Sequence, residues 1–225
     1  MARGPYWRSP LKTSGNHVSR IVVLCEGGTE ELAVRHFVRG QWEVDGLASV
    51  SLSRRNLCGH PEKVGPLARE YFDKPDVLAV FALVDLYGMN LVTHPPDDEL
   101  DAKVRRVKGW LRNQIHDHGR ARDFFPHVSV HEVEAWILAE GMALSRRLRD
   151  SGIRPDPQAE SKNFQNPPSD RLNDLFRRIK SRRYEKIVDG TPLFKAMQFQ
   201  PVYESCRYFR EFYDDLRAVG RQQAG

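Results

Sequence analysis

An uninterrupted run of eight apolar residues at 77–84 is the feature that most constrains the fold of this chain. The run is too short for a bilayer-crossing helix, which needs about 20 residues. Its length and valine content are typical of a strand buried on both faces, as in a parallel sheet. Such a sheet requires helices on both sides. The acidic residue Asp85 follows the run directly.

The segment 21–40 predicts a strand, a tight turn and a helix. Residues 21–25 form a second β-branched apolar run, which stops before Gly27 and Gly28. We expect Thr29 to cap the helix that follows, and we expect that helix to end near Gly40. This order of elements is typical of the first unit of an α/β fold.

The same alternation of strands and helices continues along the chain. Strands are predicted at 47–52 and 127–130, and helices at 62–72, 97–115 and 132–139. Alternation of this kind indicates a mostly parallel sheet flanked by helices. We therefore predict a flexible basic arm at 1–19, an α/β domain at 20–150 and a mainly helical C-terminal extension at 151–225. Helices are expected there at 170–180 and 202–219.

The composition favours a cytoplasmic protein without a disulfide framework. The chain has 225 residues, of which 40% are hydrophobic and 29% are charged. The first 20 residues contain no apolar block of the kind that forms a secretion signal. Cys25, Cys58 and Cys206 are odd in number and far apart, which fits reduced thiols.

The charge is unevenly distributed, with an acidic middle between basic ends. Residues 1–20 hold four basic and no acidic residues, residues 21–160 hold 18 basic and 22 acidic, and residues 161–225 hold 13 basic and 8 acidic. This pattern fits carboxylates around a metal ion, with basic flanks that bind nucleic acid. Basic regions that are simply solvated surface are the alternative.

Acidic side chains are predicted at the carboxyl ends of three strands. They are Glu26 and Glu30 after the first strand, Asp85 after the third, and Glu132 and Glu134 after the last. Strand ends in a parallel sheet share one edge, where these groups would converge. Crowded carboxylates repel one another unless a cation lies between them, and Mg²⁺ or Mn²⁺ prefers oxygen ligands. The inferred chemistry is metal-dependent cleavage of a phosphodiester.

Each of these residues also has a structural interpretation. Glu30 and Glu31 are equally suited to the first turn of a helix, where negative charge is favourable. Glu132 and Glu134 are also compatible with a helix start and a surface position. His131 is more typical of a structural histidine than of a metal ligand. Walker, dinucleotide and nucleophile-elbow motifs are absent from the sequence, which argues against those functions.

Several motifs resemble those of a known family. CEGGTEE after IVVL is similar to the opening motif of Toprim-like domains, and LVDLYG resembles their later acidic motif. HEVEAWIL, NPPSDRL, YEK and CRYFREF resemble segments of a Toprim-like family of uncharacterised bacterial proteins. That family is related to the nuclease domain of overcoming-lysogenisation-defect proteins, which use two divalent metals.

This resemblance implies a Rossmann-like Toprim fold and assigns candidate roles. Glu26 and Glu30 match the first acidic pair, Asp85 matches the first Asp of the DxD motif, and Glu132 and Glu134 fall in the third acidic segment. All five are candidate catalytic residues, and Glu26, Glu30, Asp85 and Glu134 are candidate ligands of Mg²⁺ or Mn²⁺. Tyr87 replaces the second Asp, so a metal ligand found in Toprim nucleases is missing here.

The extension offers a candidate nucleic-acid-binding surface. The residues assigned to it are Arg178, Lys180, Arg182, Arg183 and Lys186. Tyr184 lies among them and is suited either to stacking on a base or to a place in the core. Lys186 is included because it lies in the YEK segment.

Three functions follow as hypotheses. The first is a metal-dependent nuclease acting on DNA or RNA in anti-phage defence. The second is a catalytically reduced Toprim module that regulates an ATPase partner or nucleic acid, which Tyr87 favours; the ATPase is implied by the resemblance alone. The third is a Toprim phosphotransfer enzyme that is not a nuclease.

Overall fold

A four-stranded parallel sheet forms the centre of the protein. The computed structural model describes residues 18–86, 89, 92, 99–161 and 166–224. The strands are β1 (Arg20–Cys25), β2 (Ser51–Asn56), β3 (Val77–Asp85) and β4 (Phe124–Ser129). Their order across the sheet is β2-β1-β3-β4, and all three pairings are parallel. The predicted α/β class is therefore confirmed.

Two of the predicted strands lie at different positions. The strand predicted at 47–52 is β2, which pairs with β1 from Ser51 to Asn56. The apolar Leu47 and Val50 precede it and are buried in the loop instead. Because β2 is an edge strand, its own residues are largely polar, and the apolar pattern pointed to the wrong segment. The last strand begins at Phe124 rather than at 127.

Ten α-helices are assigned within the described residues. They are α1 (Gly28–Ala33), α2 (Arg39–Val44), α3 (Val64–Phe72), α4 (Leu100–Asn113), α5 (Glu134–Glu140), α6 (Met142–Leu148), α7 (Pro168–Lys180), α8 (Lys186–Ala196), α9 (Phe199–Ser205) and α10 (Arg207–Ala224). The helix predicted at 202–219 is thus two helices separated at Cys206. The predicted start of α4, Asp97 and Asp98, lies outside the described residues, as do residues 1–17 of the basic arm.

The first helical segment differs from the prediction at both ends. Gly27, not Thr29, is the N-cap of α1. The helical path then passes through a π-helical turn at Val34–Val38 and continues through α2 to Val44. Gly40 does not end it, because an exposed glycine weakens a helix by only about 1 kcal/mol relative to alanine.

Two hydrophobic clusters cover the two faces of the sheet. On one face, Ile21 and Phe81 pack with residues of α1, α2, α5 and α7–α10. On the other, Val22 and Val80 pack with residues of α3 and α4. The central strands β1 and β3 are buried on both sides, as their uninterrupted apolar sequences require. The helices after residue 150 thus complete one side of the sheet.

None of the described helices is both long enough and apolar enough to span a membrane.

Substitution of Gly220 tests the packing between α10 and α2. A Cβ at Gly220 would lie 2.9 Å from Cζ2 of Trp42, whose Nε1 donates a hydrogen bond to the carbonyl of Val50 at 2.9 Å. We expect Gly220→Ala to lower the free energy of unfolding by about 1–3 kcal/mol, because the buried indole must shift from its hydrogen-bonded position to admit the methyl group. Urea unfolding measures the change.

Gly109→Ala on α4 is the matched control, since nothing lies within 4 Å of the added methyl group. It should leave stability unchanged or raise it by up to about 1 kcal/mol. Equal stabilisation by both substitutions would contradict the described packing.

Candidate functional site

The carboxyl ends of β1, β3 and β4 bring the predicted acidic residues to one edge of the sheet. Glu26 follows β1 directly, and Asp85 is the last residue of β3. Asp85 lies beside Ser129, the last residue of β4, in the strand register. Glu132 and Glu134 follow β4 at the start of α5. Parallel pairing is what places these distant parts of the sequence side by side.

Glu26 and Asp85 are joined by a direct hydrogen bond. The backbone N–H of Asp85 donates to Oε2 of Glu26 at 2.8 Å, and the hydroxyl of Ser129 donates to Oδ1 of Asp85 at 2.8 Å. No arginine forms an ion pair with either carboxylate among the described residues. Burial, followed by the charge of Glu30, raises the pKa of Asp85 well above its ordinary value.

Glu30 turns back over the start of α1. Its Oε2 accepts a hydrogen bond from the backbone N–H of Gly27 at 2.9 Å, and the residue is buried. A Cβ at Gly27 would lie 3.0 Å from this oxygen, so glycine allows the close approach. Burial raises the pKa of Glu30, and burial together with the charge of Glu30 raises that of Glu26.

Glu132 and Glu134 share a cation, Lys186. The ammonium of Lys186 lies 3.0 Å from Oε1 of Glu132 and 3.4 Å from Oε1 of Glu134. Oε2 of Glu132 also accepts a hydrogen bond from the backbone N–H of Ser169 at 2.8 Å. Neither oxygen of Glu134 has a hydrogen-bond donor in the described part of the chain, and burial raises the pKa of this carboxyl to about 7.

An ion cluster around the buried Asp189 fixes the start of α8, from which Lys186 extends. The guanidinium of Arg182 contacts both oxygens of Asp189, at 2.6 and 2.7 Å, and Arg147 contacts one of them at 3.3 Å. Burial alone would raise the pKa of Asp189, but the bonds from Arg182 lower it. Likewise, burial acts to lower the pKa of Lys186, but Glu134 and Glu132 raise it overall.

The other predicted nucleic-acid-binding residues have different surroundings. Lys180 and Arg183 are exposed, and Arg178 is exposed with Asp150 at 3.7 Å. Arg182 is held by Asp189, and Lys186 faces the acidic residues. Tyr184 is buried with its ring edge-on to Phe176, so it is a core residue rather than a platform for a base. A role in nucleic-acid binding stays a prediction for the five basic residues.

His131 and Tyr87 are the remaining residues that the sequence analysis discussed in relation to a metal site. His131 is fully buried at φ +67°, in the turn that leads from β4 to Glu132, and burial lowers its pKa to about 4. It is therefore neutral at pH 7, and its positive φ forms part of the turn. Tyr87 lies outside the described residues. Ser129, Ser169 and Asp189 were not predicted from the sequence. A single serine, or a single acidic residue within a helix, belongs to no sequence pattern that marks it as functional.

The site is chemically suited to a divalent cation. Among the described residues, no three histidine, cysteine, aspartate or glutamate side chains already lie close enough together to form a metal cage. Mg²⁺ does not require one, because it usually binds one or two carboxylates and keeps several waters. The buried carboxylate of Glu134 has no hydrogen-bond donor among the described residues, and a metal ion there would share it with the ammonium of Lys186, 3.4 Å from Oε1. Mg²⁺ or Mn²⁺ thus fits the donor set.

Comparisons with known proteins give a family and distant structural similarities. A family model described as a domain of unknown function (DUF4276) matches residues 25–217. No curated protein matches the sequence. The chain is similar to the C-terminal region of the OLD protein of Burkholderia pseudomallei, with 17% identity, a TM-score of 0.45 and coverage of 90% of this chain and 98% of that chain.

It is also similar to the C-terminal region of the OLD protein of Xanthomonas campestris pv. campestris. That alignment has 14% identity and a TM-score of 0.40, and it covers 89% of this chain and 98% of that chain.

Glu134→Gln should change how stability depends on pH. A carboxyl with a folded-state pKa of about 7, above its ordinary 4.5, supports folding when protonated, and this contribution is lost as the pH rises toward 7. The variant removes the buried charge. We expect its free energy of unfolding to exceed that of the wild type by about 1–3 kcal/mol at pH 8 and to match it near pH 4.

Urea unfolding at several pH values, without divalent cations, measures this difference. Glu185→Gln is the control, because Glu185 is an exposed neighbour of Lys186. Parallel pH profiles for the wild type and Glu134→Gln would show that the Glu134 carboxyl is not perturbed.

Proposed function

We propose that this chain, which belongs to the DUF4276 family of domains of unknown function, is a metal-dependent phosphodiesterase that cleaves DNA or RNA. The observation that carries the proposal is the hydrogen-bonded pair of Glu26 and Asp85, which is crowded by Glu30 and Glu132 and has no arginine counter-ion in the described residues. The motif resemblance to Toprim-like nucleases supports the same chemistry.

The electrostatics of the pair favour a bound cation. Burial and neighbouring carboxylates raise the pKa values of Glu26, Glu30 and Asp85, which means that their charged forms are destabilised. A divalent cation would offset this repulsion. Glu26, Asp85, Glu30 and Glu134 are the residues that would hold Mg²⁺ or Mn²⁺. Once bound, such a cation stabilises negative charge on a phosphate and lowers the pKa of water.

The protein's own residues would orient these groups and the substrate. Ser129 fixes the carboxylate of Asp85 by donating its hydroxyl hydrogen, and Gly27 fixes that of Glu30 through its N–H. Lys186 is 47% exposed, so its ammonium has access to solvent as well as to Glu132 and Glu134. It is placed to bind a phosphate oxygen of the substrate. The exposed Lys180 and Arg183 would bind the nucleic-acid backbone farther along.

A biological role is proposed from the motif resemblance alone. The motif resemblance implies a place in anti-phage defence beside an ATPase. An ATPase partner and a defence role are therefore part of the proposal, and the described contacts do not depend on them.

A catalytically reduced module is the second candidate. The contact of Lys186 with Glu132 and Glu134 supports it, because an internal ammonium already neutralises part of the acidic cluster. The sequence supports it too, since Tyr87 stands where Toprim nucleases have their second Asp. Such a module would bind an ATPase or nucleic acid without cleaving it.

Substitution of the central pair tests the nuclease. We expect Glu26→Gln and Asp85→Asn each to lower Mg²⁺- or Mn²⁺-dependent cleavage of DNA or RNA by about 100-fold or more, because each removes a charge that holds the cation. Cleavage of single- and double-stranded DNA and RNA measures the loss, and circular dichroism monitors folding. In both variants the introduced amide keeps an oxygen that accepts the same hydrogen bond as the carboxylate it replaces.

Glu31→Gln is the matched control, since Glu31 lies on α1 beside Glu30 and contacts Asn56 instead of the acidic pair. It should cleave at about the wild-type rate. Full activity in both Glu26→Gln and Asp85→Asn would end the nuclease proposal.

Metal binding separates the two candidate functions. Titration calorimetry with Mn²⁺ should show binding to the wild type that is weakened about tenfold or more in Asp85→Asn, because a carboxylate ligand is lost. Glu31→Gln should bind as the wild type does. Absence of carboxylate-dependent binding would favour the reduced module.

A further inference from the structure

A cavity lies at the opposite end of β4 from the acidic site. Its volume is about 340 Å³, which is at the lower end of the range of about 300–1,000 Å³ for small-molecule sites. Residues from α4, from the 3₁₀ turn Ala121–Asp123, from the first part of β4 and from α10 line it. The acidic site lies at the carboxyl ends of β1, β3 and β4, and none of its five acidic residues lines the cavity, so the two sites are separate.

The cavity is lined by more positive than negative charge. Lys108, Arg112 and Arg122 contribute cations, of which Lys108 is paired with Glu211 at 3.2 Å, and Asp215 is the carboxylate among the described lining residues. The carboxylate of Asp215 lies 3.2 Å from Nε2 of the buried His127, so it already has a partner. Arg122 is 91% exposed, and its nearest carboxylate is 3.9 Å away. Two guanidinium groups are thus available to an anion at the rim.

Part of the wall beneath these cations is apolar. Phe125 and Pro126 face the cavity. The ring of Phe125 stacks on Phe81 with centroids 4.6 Å apart and 10° between the planes, and His127 stacks on the same ring at 5.8 Å. An inorganic anion would pair with the guanidinium groups but would leave this wall exposed to water. A ligand with an anionic end and a planar apolar part would cover both.

We propose that this cavity binds a nucleoside monophosphate unit. Arg112 and Arg122 bind the phosphate, since guanidinium groups form paired hydrogen bonds to phosphate oxygens. The base packs against Phe125 and Pro126, because every base has a flat apolar face. The unit is either a free nucleotide or part of a nucleic-acid strand. The assignment does not require the phosphodiesterase activity or a metal ion.

Calorimetric titration with AMP, in the presence of a chelator, tests the proposal on the full chain. We expect AMP to bind more tightly than inorganic phosphate. The double variant Arg112→Ala/Arg122→Ala should bind AMP about tenfold or more weakly, because charge-assisted hydrogen bonds are lost. Both arginines are exposed, so the variant is expected to fold.

Arg105→Ala/Arg35→Ala is the control with the same loss of charge, and Arg105 is an exposed arginine on the same helix, α4. It should bind AMP as the wild type does, and so should Asp85→Asn. No binding of AMP to the wild type, or equal affinity in the two double variants, would overturn the proposal. If inorganic phosphate binds as tightly as AMP, the proposed packing of the base against Phe125 and Pro126 is overturned.

Competition with an oligonucleotide shows whether the site takes a free nucleotide or a nucleotide within a strand. A short single-stranded oligonucleotide that displaces AMP would support a site for a strand, and one that leaves AMP bound would support a site for a free nucleotide.

Discussion

The repulsion among carboxylates at one edge of the sheet is the constraint on which the rest of the site depends. Parallel pairing brings Glu26, Asp85 and the residues after β4 together whether or not their charges are balanced. Fixed dipoles offset part of this repulsion. Backbone N–H groups donate hydrogen bonds to Glu26, Glu30 and Glu132, and a hydroxyl donates to Asp85. These bonds hold the carboxylates in place but do not neutralise them.

The start of α8 supplies the positive charge that faces Glu132 and Glu134. Asp189 is buried at the start of α8 and is held by Arg182 and Arg147, so the helix can place Lys186 against Glu132 and Glu134. The acidic edge of the α/β sheet therefore depends on a helix that follows it by about fifty residues in the sequence. The C-terminal helices share a hydrophobic cluster with the sheet, and this packing holds α8 beside the acidic edge.

The sequence predicted the elements that have strong patterns. The runs at 21–25 and 77–84 are strands because both faces are buried, and the acids after them lie at the expected edge. The edge strand β2 was misplaced, because half of its environment is solvent and its residues are polar. The position of Lys186 in the acidic site escaped prediction, and the sequence left open whether Tyr184 is buried, since both depend on long-range packing that composition and spacing do not encode.

Pro126 in the edge strand β4 has a consequence for self-association. A proline has no N–H to offer to an additional strand, and it is found mainly where a sheet ends. Together with the helices α4 and α10 beside it, it makes this border a poor template for the edge-to-edge stacking that leads to fibrous aggregates. Contacts with other molecules along this side are therefore expected to involve side chains rather than extension of the sheet.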